Sequence, residues 1–234
     1  IACRSVVDYC KEKLTGDSDL EEKIQDYYGA ENETSLRKTV GDAVYGIVGN
    51  AAYSAHKAIA EAAKQAEDAN LKDFATTLLL SICKKFDFGW FVASFWVGDG
   101  AMCIYNKEAQ TFKLLGTPDE GEFSGQTRFL TMPEIFADTA SLYKRLRFEI
   151  VDDFTALMMM TDGVSDPMFG TDANLNDINK WNEFWDSLQT GFAEDEIPGV
   201  ELTDNNEASK DQLLRWLDFW SPGEHDDRTI AILY

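Results

Sequence analysis

Between residues 74 and 116 the chain breaks into four short apolar runs: FATTLLLSIC (74–83), WFVASFWV (90–97), AMCIYN (101–106) and TFKLLG (111–116). The pieces between them, KKFDFG, GDG and KEAQ, are turn-like. Runs of this length, rich in β-branched and aromatic residues and closed by Gly and Asp, predict strands arranged as an antiparallel meander. Upstream, Leu36, Val40, Val44, Ile47, Ala51, Ala55, Ile59, Ala62 and Ala66 share one helical face, which predicts a long helix from about Leu36 to Ala69. Its alanines suit close packing against another layer, while Gly41, Gly46 and Gly49 weaken the pattern in the first half.

The rest of the chain follows the same two periods. IACRSVVDYCKEKL puts Ala2, Val6, Cys10 and Leu14 on one face, with Cys3 and Val7 beside them. A helix is thus already under way at Ile1, and further residues are expected upstream. Thr15–Asn32 reads as a polar, acidic connector. Residues 117–150 read as a loop with short extended pieces, then a strand through LYKRLRFEI. Phe154–Thr161 is an almost unbroken apolar run, as in a strand covered on both faces. Ile178, Trp181, Trp185, Leu188 and Phe192 mark one later helix, and Leu213, Leu214, Trp216, Leu217 and Trp220 mark another. The tryptophans at 181, 185, 216 and 220 are assigned to the core rather than to a partner groove. RTIAILY (228–234) closes the chain as a strand. Helices first, strands in the middle, then helices and a last strand predict an α+β domain with segregated layers.

Composition narrows the function. With 44% hydrophobic residues over 234 positions, the chain is globular and needs no disulfide or metal staple. Acidic residues outnumber basic ones 42 to 21, for a net charge of -21. Such a surface repels nucleic acid and anionic lipid, so neither is expected as a partner. The four cysteines (Cys3, Cys10, Cys83, Cys103) form no CxxC, and the only histidines are His56 and His225. That leaves no zinc constellation and no Cys/His pair. The cysteines are expected to be buried free thiols in a reducing compartment, and His225 a solvent-facing loop residue rather than a general acid. No signal peptide heads the chain and no apolar run approaches ~18 residues, so a cytoplasmic protein is expected; it is also expected to be a monomer.

Three predicted strand ends share a feature. The strand at 90–97 runs into Gly98-Asp99-Gly100, that at 154–161 into Asp162-Gly163 with Asp166 close behind, and the last strand follows Asp226-Asp227. Aspartate is a poor strand residue, and glycine lets the backbone turn sharply. A single Asp-Gly is an ordinary turn. Three acidic strand ends beside strongly apolar strands point to carboxylates gathered at sheet tips, where they repel unless a cation lies between them. Oxygen ligands without His or Cys suit hard cations such as Mg2+ or Mn2+.

MMMTDGVSD resembles the T-D-G-x-x-D signature of PP2C-type (PPM family) metal-dependent protein serine/threonine phosphatases, of the bacterial, stand-alone type. DDRTIAIL resembles their closing D-[ND]-x-T strand, WVGDGAMCIYN their G-D turn between paired strands, and FATTLLLSI the Thr-bearing strand before that turn. The resemblance covers most of the chain as one domain, 1–234. It implies a four-layer α-β-β-α sandwich of two antiparallel sheets flanked by helices. It also implies hydrolysis of phosphoserine or phosphothreonine in a phosphoprotein substrate, by a water activated by two or more Mn2+ or Mg2+ ions. Carried over by motif, Asp162 and Asp226 would be ligands of the catalytic metal pair. Asp99, Asp162 and Asp166 would define an additional metal position. Asp227 stands where many members carry Asn.

Family members also carry, upstream of the first long helix, an Arg that grips phosphate and a D-G-x-G segment whose Asp bridges both metals. Neither occurs here: Asp8 and Asp42 lie in helical patterns without that glycine arrangement. One reading is a phosphatase domain whose N-terminal part is missing. The alternative is a catalytically impaired pseudophosphatase acting as a regulatory binding module. A start in mid-helix without methionine favours the first. An acidic cation-binding domain outside the family is a third reading.

Overall fold

The computed structural model describes residues 1–15, 19–30, 33–119, 127–204, 206–223 and 226–234. The helices α1 (Ala2–Thr15), α2 (Leu20–Gly29), α3 (Thr34–Val44) and α4 (Asn50–Gln65) come first. The strands β1 (Leu78–Phe86), β2 (Gly89–Val97), β3 (Ala101–Asn106) and β4 (Thr111–Leu114) follow, then α5 (Thr139–Lys144), β5 (Leu146–Val151) and β6 (Ala156–Met160). The last third holds α6 (Asp162–Phe169), α7 (Asp172–Leu175), α8 (Ile178–Thr190), the short pair β7 (Gly191–Phe192) and β8 (Ile197–Pro198), α9 (Asn206–Trp216) and β9 (Ile230–Leu233).

The chain forms two compact units, Ile1–Asp99 with Asp119–Asp152, and Gly100–Pro118 with Asp153–Tyr234. In the first, β1, β2 and β5 make an antiparallel sheet with β2 in the centre, where Ser94 pairs with Ser81 on one side and Arg147 on the other. Val40, Val44, Val48, Ala51, Ala55 and Ile59 from the helices share a core with Leu78, Phe91, Phe95 and Phe148 from the sheet. In the second, the antiparallel order is β4-β3-β6-β9. Its core joins Cys103, Tyr105, Met158 and Met160 to Trp181, Trp185, Leu188 and Trp216. Two antiparallel sheets flanked by helices make this an α+β chain, as expected.

Several elements depart from the sequence reading. The acidic connector contains α2, whose buried Leu20, Ile24 and Tyr27 fall at helical spacing; its dense charge is the solvated face of that helix. The long helix is α3 and α4 joined by a π turn at Tyr45–Gly49. A Cβ on Gly49 would lie 2.7 Å from the Tyr45 ring, so glycine leaves space for that ring against the backbone. The extra residue of the π turn shifts the inward face, and Val48, Ala52 and Ala63 are buried while Ala62 and Ala66 are only half-buried. α4 ends at Gln65, before Asp68 with φ of 59°.

The meander is also divided. β1 pairs with β2, but β3 pairs with β4 and β6, so the chain changes sheets at Gly98-Asp99-Gly100. The Gly-Asp turn therefore does not join paired strands. Turn residues signal where a strand stops, and burial on both faces then selects its partner. β1 starts only at Leu78, because Leu71–Phe74 is a 3-10 turn whose capping residue Asn70 accepts from Lys72 N–H at 3.1 Å. The first part of LYKRLRFEI is helical in α5, capped by Asp138, whose carboxylate accepts from Ser141 N–H at 2.8 Å.

Trp181, Trp185 and Trp216 are core, but Trp220 lies past the end of α9 and is 66% exposed. All four cysteines are free; Cys10 and Cys103 are buried and Cys83 half-buried, but Cys3 is exposed, on the outer side of α1. Among the described residues no helix is long and apolar enough to cross a membrane.

Candidate metal centre

β6 is a short apolar rod. Four of its five residues are buried, and it lies between β3 and β9, with Met160 opposite Ala101 and Ile230. Central position and bulky side chains fix its tip, Thr161-Asp162-Gly163. The tip is not a turn, as the sequence suggested: Asp162 opens α6, where a carboxylate is favoured by the unpaired amides of the first helical turn.

Hydrogen bonds from the Thr161 backbone and hydroxyl stitch this tip to Asp226-Asp227-Arg228-Thr229. Thr161 N–H donates to the Thr229 carbonyl at 3.0 Å. The Thr161 hydroxyl donates to the Asp227 carbonyl at 3.2 Å and accepts from Thr229 N–H at 3.0 Å. A Cβ on Gly163 would lie 2.6 Å from the Asp227 oxygen and 3.1 Å from the Asp226 oxygen. Glycine is needed here for close approach of two backbones. The two acidic motifs that the sequence separates by more than sixty positions are in direct contact.

Each motif carboxylate is oriented by the next amide. Asp162 Oδ1 accepts from Gly163 N–H at 2.8 Å, and Asp226 Oδ1 from Asp227 N–H at 2.7 Å. Asp162 is half-buried, and Asp226 and Asp227 are exposed. Asp166, one turn along α6 from Asp162, is exposed and borders a depression of about 300 Å³ with Pro167, Phe192, Phe219 and Trp220. Asp226 borders another of about 620 Å³ with Asp195, Asp218 and again Phe219 and Trp220.

Asp99 belongs to the first unit. Gly98 has φ of 115°, and a Cβ there would lie 2.4 Å from the methyl of Thr77, the residue before β1, so this turn needs glycine. Asp119 clamps Gly98 from both sides of its peptide: its carboxylate accepts from Gly98 N–H at 2.8 Å, and its own N–H donates to the Gly98 carbonyl at 3.0 Å. Arg145 pairs with Asp119, both side chains being only 12% and 14% exposed, and also donates to the Trp96 carbonyl at 3.3 Å. The Thr127 hydroxyl donates to the Asp99 carboxylate.

The sequence reading missed Asp119, Arg145 and Arg228. For the first two, no local pattern marks residues that meet only through the fold. Arg228 had a signal in Pro167, which stands four residues after Gly163 and cannot supply the helical N–H that the Gly163 carbonyl would accept. Asp8 is exposed on α1. Asp42 is exposed on α3, and its carboxyl is held below the usual range by hydrogen bonds from Lys38, at 2.7 Å, and from Tyr143. His225 lies outside the described residues.

Among the described residues no group of three or more His, Cys, Asp or Glu side chains could hold a metal ion. The donors nevertheless fit a hard cation in kind. They are oriented carboxylates, and Mg2+ is commonly held by one or two carboxylates with the rest of its shell supplied by water and substrate phosphate.

Two solved structures are similar in part, both of the phosphatase domain of the cell fate determinant SpoIIE from Bacillus subtilis. The manganese-presoaked one is 14% identical with a TM-score of 0.35, covering 76% of this chain and 63% of that one. The other is 13% identical with a TM-score of 0.37, covering 78% of this chain and 72% of that one. The chain thus spans less than two thirds of the first of these domains. No curated protein matches it in sequence. The family described as Protein phosphatase 2C matches residues 1–218, and this chain belongs to that family.

Proposed function

We propose that the chain carries out metal-dependent hydrolysis of phosphoserine or phosphothreonine in proteins. Asp162 and Asp226 would hold the catalytic Mn2+ or Mg2+ ions, and Asp166 with Asp162 would serve an additional ion. The observation that supports this most strongly is the stitching of Thr161-Asp162-Gly163 to Asp226-Asp227-Arg228-Thr229, which joins the two motifs where β6 ends and β9 is about to begin. When bound, the ions supply a water of lowered pKa and positive charge for the phosphoryl oxygens. The chain's own part is geometric and electrostatic. Gly163 and Asp227 amides fix the carboxylate rotamers, and the surrounding Asp195, Asp218 and Asp227 repel phosphate until cations neutralise them. Substrate binding is therefore coupled to metal binding.

The test is hydrolysis of a phosphothreonine peptide with Mn2+, with Mg2+ and in excess chelator, by the wild type and by Asp162→Asn. Turnover is expected only with metal, and nearly none in the variant; activity that survives chelation overturns the reading. Asp166→Ala is expected to raise the metal concentration needed for half-maximal activity. The rival reading is the catalytically impaired pseudophosphatase. It predicts Mn2+ binding without turnover.

A further inference from the structure

We infer that Arg228 is a positioning residue of the cation site, a strut that sets Asp162 against Asp226; this rests on the reading of those aspartates as metal ligands. Pro167 leaves the Gly163 carbonyl without a helical partner, and Arg228 Nε donates to it at 3.2 Å. Nη1 of the same guanidinium donates to the Leu217 carbonyl at 2.8 Å and to the Phe219 carbonyl at 2.5 Å, both just past the end of α9. Its plane lies over the Phe219 ring, 3.9 Å from the centroid. Carbonyls at a helix C-terminus carry partial negative charge and lack intrahelical donors, so a cation there is favoured.

One side chain thus joins the start of α6, the end of α9 and the segment before β9. Its acceptor on α6 is the carbonyl of the residue after Asp162, and its own backbone is two residues from Asp226. Any shift of the guanidinium moves one carboxylate relative to the other. With Nε and Nη1 engaged by carbonyls, Arg228 is held in place as a strut and is not poised to grip a phosphate. The planar fork is essential to this role. A lysine ammonium is a single point on a flexible stem and cannot span three carbonyls and a ring face at once.

The experiment titrates Mn2+ by calorimetry into the wild type, Arg228→Lys, Arg228→Ala, Asp162→Asn and Trp181→Phe, each below its unfolding temperature. Trp181→Phe is the control for lost stability, since it removes a buried hydrogen bond to the Leu175 carbonyl, a bond in which neither acidic motif takes part. Both Arg228 variants are expected to bind Mn2+ about ten-fold or more weakly, the scale seen when a residue orienting metal ligands is lost, while Trp181→Phe keeps wild-type affinity. Hydrogen exchange of the metal-free protein gives a second readout, with Val164 and Ser165 amides exchanging faster in the Arg228 variants. Wild-type Mn2+ affinity in Arg228→Lys and Arg228→Ala, beside its loss in Asp162→Asn, overturns the strut alone. Unchanged affinity in Asp162→Asn, or no Mn2+ binding by the wild type, overturns the metal-site reading as well.

Discussion

Gly163 is the point where the two acidic motifs approach most closely, and both surfaces it meets are backbone, which cannot rotate away as a side chain can. Gly163→Ala is therefore expected to cost ~1–3 kcal/mol of stability by chemical denaturation, in the range of core overpacking, and to reduce metal-dependent turnover more than that loss explains. A variant with wild-type stability would show that the Asp226–Asp227 backbone yields. Two phenols give a pH test. Burial raises Tyr105 to about 12, helped by Asp186 and Cys103, and raises Tyr143 to about 12, helped by its hydrogen bond to Asp42. A group whose folded pKa lies above its unfolded value contributes stability that is complete below the unfolded value and lost as pH rises through the folded one. Stability should then fall between about pH 10 and 12. In an absorbance titration of the eight tyrosines, these two should ionise last. Ionisation of all eight together near the ordinary value, with the fold intact, would contradict this.

Among the elements, α8 contributes more buried side chains to the second core than any other. Trp181 is fully buried, its ring 4.4 Å from that of Phe169 and its indole N–H bonded to the Leu175 carbonyl at 2.9 Å. Trp181→Ala is expected to cost ~3–5 kcal/mol, as for other large-to-small core changes. Trp220→Ala, outside α9 and mostly exposed, is expected to stay within about 0.5 kcal/mol. Urea unfolding of both variants checks the contrast, and comparable losses would place Trp220 in the core after all. The helical period predicted the same burial for both residues, because periodicity continues past the point where a helix stops. α9 stops at Trp216, and the carbonyls beyond it are taken up by Arg228.

For the whole molecule, the dominant long-range effect is self-repulsion from a net charge of -21. Exposed ion pairs such as Lys107–Asp186 and Lys38–Asp42 offset little of it, since surface pairs contribute at most about 1 kcal/mol each. Monovalent salt screens charges beyond a Debye length of about 10 Å at 0.1 M. The unfolding temperature is therefore expected to rise with NaCl between low and physiological ionic strength. A flat or falling curve in thermal melts would show that the acidic residues are already compensated in the fold.

Much of this protein was legible in its sequence wherever a property repeats along the chain. AMCIYN is β3 residue for residue, the apolar run before Asp162 is β6, and the Val40–Val44–Ala51–Ala55–Ile59 face is buried as its spacing predicts. These are consequences of local period, since burial on one side of a helix or both sides of a strand leaves its mark in consecutive residues. α2 was hidden because its solvent face is so acidic, and the π turn because one inserted residue changes phase without changing composition. The division of the strands between two sheets, the contact of Gly163 with Asp226 and Asp227, the Asp119–Arg145 clamp on Gly98 and the three carbonyls on Arg228 were decided only by tertiary structure. Each rests on at least one backbone group, and backbone groups are carried alike by every residue, so side-chain patterns mark these contacts poorly.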